Sequence, residues 1–118
     1  MVIDLVATLL LEGFEKLEWA EASYEAEAWA DAIYHTYAVF VSSAKALLLD
    51  KGVSSSTQIG VIREFDTNYV ETGEITLPSS FNELVLQINK NEPTEEFATA
   101  YLASVTDFID QIKIKKGI

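Results

Sequence analysis

Residues 30–52 read Ala-Asp-Ala-Ile-Tyr-His-Thr-Tyr-Ala-Val-Phe-Val-Ser-Ser-Ala-Lys-Ala-Leu-Leu-Leu-Asp-Lys-Gly. Within them Ala30, Ile33, Tyr37, Phe40, Ala44 and Leu47 follow steps of 3, 4, 3, 4 and 3. That alternation is the period of an α-helix packed along its length, whereas a strand would alternate every second residue. Tyr34, Ala38, Val41 and Leu48 form a second apolar row on the same helix. A peripheral helix needs only about a 100° apolar stripe, so the excess predicts either a central position or burial against another chain. The helix stops at Lys51-Gly52, where glycine adopts the left-handed conformation that closes a last turn.

Toward the N-terminus, residues 1–50 contain no proline and one glycine, Gly13. One helix of that length would run about 75 Å, which a small bundle cannot bury, so the chain must break. The candidates are Gly13 and the small-residue stretch at 24–30, and the second is preferred. Before it, Ile3, Val6, Leu10, Phe14, Leu17 and Tyr24 place a stripe on one helix. Toward the C-terminus, a serine of 54–56 or Thr57 caps a third helix carrying Ile59, Ile62, Phe65 and Tyr69, with Gly73 ending it. Residues 75–78 run extended into Pro78. Ser79 or Ser80 caps a fourth helix with Phe81, Leu84, Val85 and Ile88. Pro93 fits the first turn of a fifth helix, where Glu95 and Glu96 complement the positive end. Phe97, Tyr101, Val105, Phe108 and Ile112 line its buried face. The fold class is therefore all-α, an up-and-down bundle of four to five helices in a single domain over residues 1–118, with residues 113–118 expected to fray.

Composition sets the outer limits. The chain has 118 residues, 49% of them hydrophobic, enough for one sizeable core. It has no cysteine, which removes disulfides, thiolate metal sites and cysteine nucleophiles, and fits a reducing, cytoplasmic location. Eight basic residues against 19 acidic ones give a net charge of -11, a field that opposes nucleic acid. The apolar stretch at 2–11 is too short to span a bilayer and carries Asp4 without a basic flank, so no membrane contact is expected.

The blocks Ala44-Lys45-Ala46-Leu47-Leu48, the Gly52 turn, Ile59-Gly60-Val61-Ile62 with Phe65, and Val70-Glu71-Thr72-Gly73 follow one another in an order that resembles the HEPN superfamily of helical-bundle domains. The likeness runs from about residue 28 to residue 108 and includes Ala32-Ile33-Tyr34-His35 and Phe97-Ala98 with Tyr101. The resemblance implies dimerisation through helical faces. It also implies, for many members, ribonuclease or toxin activity using an arginine followed four to six positions later by a histidine. Here the sole histidine, His35, precedes the sole arginine, Arg63. That order implies a degenerate, non-enzymatic member, similar to HEPN-like domains appended to nitrite and sulfite reductase-like proteins.

Other constellations favour bland readings. Glu27, Asp31 and His35 are spaced by four and place three metal-ligating groups on one helix face, but a bundle metal centre draws Glu-x-x-His pairs from several helices. Glu12, Glu15, Glu18, Glu21 and Glu25 form an acidic run that reads as solvated surface or as a face toward a basic partner. Trp19 and Trp29 read as core or interface rather than as ligand platforms. No glycine-flanked serine nucleophile and no phosphate loop is present. The resulting expectation is a protein-interaction module that is not an enzyme, holds no cofactor and pairs as a homodimer or with an unidentified protein. Trp29, Tyr34, Ala38, Val41 and Leu48 are its candidate interface residues. The alternative is a nucleotide-binding or degenerate ribonuclease-type domain partnering a nucleotidyltransferase.

Overall fold

Asp4 opens the first helix of the computed structural model by accepting the Ala7 amide proton on its carboxylate, at 3.1 Å. The structure describes residues 4–118, so Ile3 of the expected first stripe lies outside the described residues. Five α-helices follow in order: α1 (Leu5–Glu25), α2 (Trp29–Asp50), α3 (Gln58–Phe65), α4 (Phe81–Val85) and α5 (Glu95–Lys116), with no strand among the described residues. The all-α bundle expected from periodicity is thus the architecture observed.

The chain breaks between α1 and α2 at the preferred place rather than at Gly13. Glu27 turns the corner at φ 60°. Its amide bonds back to the Tyr24 carbonyl, and the Ala28 amide bonds to that of Ser23. The same closing pattern, with Gly52 at φ 75°, ends α2, as expected. Thr57 caps α3, Ser80 caps α4 and Thr94 caps α5. Pro93 consequently lies outside the fifth helix rather than in its first turn, because the threonine hydroxyl takes the Phe97 amide.

α2 is the central element and packs on α1, α3 and α5. Val39, Phe40, Ala44, Ala46, Leu47 and Leu48 are all buried along it. Centrality accounts for most of its double apolar row. It also accounts for α2 being, among the described residues, the one helix long and apolar enough to cross a membrane by length and composition. Phe40 meets Phe81 and Phe108, and Phe65 meets the same two rings, at centroid separations of 4.5–5.9 Å. Those rings join α2, α3, α4 and α5.

Two expectations are corrected here. Ile59, placed on the buried stripe of the third helix, is 51% exposed, because the chain leaves α-helical spacing after Phe65 and makes a π-type turn over Asp66–Val70. The wider turn keeps Tyr69 in the core with Ile62 and Phe65, while Ile59, in the first turn of α3 and about 120° around it from Phe65, faces outward. The tail expected to fray is helical to Lys116, because Lys115 pairs with Glu74 and Lys116 with Asp50.

α1 lies against α2 along a seam of small residues. Gly13 is buried there, and a Cβ added to it would sit 2.5 Å from Ser43 Oγ, a buried hydroxyl with no hydrogen-bond partner among the described residues. Gly13→Ala is expected to lower stability by about 1–3 kcal/mol through overpacking. Ser43→Ala alone should be neutral or stabilising, since it removes an unpaired buried hydroxyl. The pair should be non-additive, with most of the Gly13→Ala cost gone in the Ser43→Ala background. Urea midpoints of the four proteins measure this, and additive costs would refute the seam.

Candidate functional site

α3 and the turn that follows it carry the only arginine of the chain. Arg63 is exposed, and its guanidinium makes no hydrogen bond or ion pair among the described residues. The π-type turn closes with the Glu71 amide donating to the Asp66 carbonyl at 2.8 Å. Single π-turns are costly and recur at functional sites. This one brings Asn68 back over the helix, where its Nδ2 donates to the Glu64 carbonyl at 2.8 Å and to Glu64 Oε2 at 3.2 Å. Thr67 Oγ1 donates to the Arg63 carbonyl. Asp66 faces the other way and accepts the Phe81 and Asn82 amides at 2.6 and 3.0 Å, fixing α4 to the turn.

Beneath Asn68 lies a set of charges from three distant parts of the chain. Lys51 Nζ donates to the Asn68 carbonyl at 2.5 Å and also pairs with Glu74. Lys115 donates to the other Glu74 oxygen at 3.1 Å. The hydrogen bonds from Lys51, Lys115 and Thr72 hold the Glu74 carboxyl down at about 2. The Lys51 ammonium sits 4.1 Å from the centre of the Tyr69 ring. Burial, with the charges of Asp50 and Glu74, pushes the Tyr69 hydroxyl up to about 12. Lys51, Lys113, Lys115 and Lys116 supply half of the eight basic residues of the chain at this end. Sequence reading missed both Asn68, five positions after Arg63, and this cluster. The first was visible as a spacing; the second depends on pairings across 23 and 41 residues.

The residues singled out in the sequence are dispersed. His35 lies between Trp19 and Tyr34, with ring centroids 5.8 Å from each. Glu27 sits in the corner and Asp31 on the exposed first turn of α2, so no one regular helix aligns Glu27, Asp31 and His35, and no group of three metal-ligating side chains occurs among the described residues. Trp29 is half-buried with its edge against Tyr24. Of the interface candidates, Leu48 is 1% exposed and belongs to the core of its own chain, which removes it from any interface. Tyr34 is exposed, while Ala38 and Val41 are half-buried beside a groove of about 260 Å³. Glu12, Glu15, Glu18, Glu21 and Glu25 are all exposed.

Comparison with known proteins places this geometry in context. The HEPN domain family matches residues 6–95. A Methanocaldococcus jannaschii protein named a "putative toxin" is 31% identical over 106 residues, covering 84% of this chain and 79% of the relative. No solved structure matches the chain. The family match and the relative's name overturn the expectation that the chain is not an enzyme, since the HEPN family matches most of the chain and the relative is named a toxin. The order of Arg63 and His35 alone does not carry that exclusion.

The charge set beneath Asn68 predicts a pH dependence. A carboxyl held at about 2 when folded contributes stability that is fully present above the ordinary value of 4.5 and is lost as pH falls from there through 2. Glu74→Gln should therefore lower the melting temperature at pH 6, and the gap to the parent should close by pH 2. A gap that persists unchanged at pH 2 would show that Glu74 acts through shape and not through its charge.

Proposed function

Because the chain belongs to the HEPN family, we propose that it is a toxin-type HEPN protein directed at RNA, with Arg63 as its phosphate-binding group. The relative named a toxin, aligned over most of both chains, carries this reading. The geometry supports it locally. An unpaired guanidinium suits bidentate contact with a phosphate. Arg63 stands at the start of a π-type turn, and Asn68 occupies the spacing at which the resembled motif has its histidine. With its amide held by Glu64, Asn68 serves to shape this surface rather than to move a proton. Glu64 is the proton-accepting side chain of the same segment. The net charge of -11 is unevenly spread, and Lys51, held at the Asn68 carbonyl, sets a cation beside this surface.

Induced expression in a bacterial host tests the reading. The parent chain is expected to arrest growth and to shorten the lifetime of total RNA. Arg63→Ala, folded by circular dichroism, should lose this by about 100-fold, the scale of removing one charge-stabilising donor. His35→Ala should keep it. Unaffected growth and intact RNA with the parent protein would refute the proposal, as would activity that survives Arg63→Ala and disappears with His35→Ala.

A further inference from the structure

Trp19 is 49% exposed and Tyr34 is 64% exposed, although both are large aromatic side chains. His35 touches each of them edge-on, so three rings form one row that crosses from α1 to α2 on the outside of the hairpin. Tyr34 also borders a groove walled by Tyr37, Ala38 and Val41 and, on its polar side, by Lys16, Ser42 and Gln58. Around this row the charge is one-sided. Residues 12–31 hold seven acidic side chains and one lysine, and that lysine is turned to Ser42 Oγ at 2.9 Å. None of the seven takes part in an ion pair among the described residues.

We propose that this face docks an arginine-bearing amphipathic segment of a partner protein, with guanidinium groups stacked on Trp19 and Tyr34 and paired with Glu15 and Glu18. The charge decides the occupant. A second copy meeting the same face about a two-fold axis would set Glu12, Glu15 and Asp31, which lie within about 40° of Trp19 or His35 around their helices, against their own counterparts, and like charges in contact oppose association. RNA and anionic lipid surfaces are repelled for the same reason. A cationic segment gains from these carboxylates. The aromatic faces select arginine over lysine, because the planar guanidinium stacks on a ring while a compact ammonium stays hydrated. The groove beside Tyr34 accepts one apolar side chain of the segment. This inference goes beyond the toxin-type reading, uses a face apart from Arg63, and stands or falls by binding alone.

The test uses the full chain carrying Trp29→Phe, so that Trp19 is the sole tryptophan and reports on the face by fluorescence. The probes are three synthetic amphipathic helical peptides of the same length, with arginine, lysine or glutamate on the polar face and leucine on the other. The arginine peptide is expected to shift Trp19 emission, to weaken with added salt, and to bind about tenfold tighter than the lysine peptide. Tyr34→Ala, and separately the charge-reversed Glu15→Arg/Glu18→Arg pair, should each weaken binding by about tenfold or more, as expected of a stacked anchor. Both sites are exposed, so the variants are expected to remain folded, and circular dichroism checks this. Equal binding by parent and Tyr34→Ala would reduce the effect to attraction between an acidic protein and any polycation, and would overturn the proposal. No shift with the arginine peptide would do the same. So would a Trp19 emission that already moves with protein concentration in step with a doubled mass by light scattering, because the occupant would then be a second copy.

Discussion

Four phenylalanine rings, Phe40, Phe65, Phe81 and Phe108, set the terms for everything around them. Each comes from a different helix, and Phe81 and Phe108 each touch the other three. α4 is only five residues long, and a helix that short has almost no stability of its own. It persists because Phe81 is locked among the other rings while Asp66 and Ser80 satisfy its first amides. The π-type turn is what aims Asp66 at those amides and keeps Tyr69 stacked on Phe65. The irregular backbone beside Arg63 is therefore tied to the core, and the surface it shapes is as rigid as the rings beneath it.

α1 stands outside this knot. Its fully buried positions are few, Leu10, Gly13 and Ala20, and small side chains at the last two let the two backbones approach closely. A helix that packs along one side, on α2 and at the edge of α5, leaves its outer side in solvent, and here that side is largely acidic. The opposite end collects the lysines. The molecule, about 40 Å in its longest dimension, thus has on one side carboxylates in no ion pair among the described residues and at the other end lysines matched to Glu74 and Asp50, so one net charge describes neither surface.

What was legible in the sequence was local. The stop at Lys51-Gly52, the corner after Tyr24 and the stripe of α2 depend on residues within a turn of one another, and each was readable. The caps were readable to within a residue or two, because a hydroxyl beside an amide is a short-range choice. Three features were not readable in this way. The turn after Phe65 departs from helical spacing because Asp66 serves α4, which lies 15 residues on. The order of residues 113–116 rests on partners at Asp50 and Glu74 that no local pattern announces. The expectation of no enzyme activity rested on the lack of a histidine after Arg63, a spacing that says nothing of the other residues, such as Glu64 and Asn68, that the turn brings beside it.

Two buried tyrosines take up carbonyls in the last turns of helices that the backbone leaves open. Tyr69 donates its hydroxyl to the Leu47 carbonyl in the last turn of α2, and Tyr101 donates to the Val85 carbonyl at the end of α4. A phenol can do this only while it keeps its proton. Burial pushes both hydroxyls upward, Tyr69 to about 12. The stabilisation is therefore complete below the ordinary phenol value of 10 and fades as pH climbs beyond it toward 12. The bundle accordingly carries an alkaline ceiling written into its tyrosines: deprotonating either one would place a phenolate against a carbonyl oxygen in the interior.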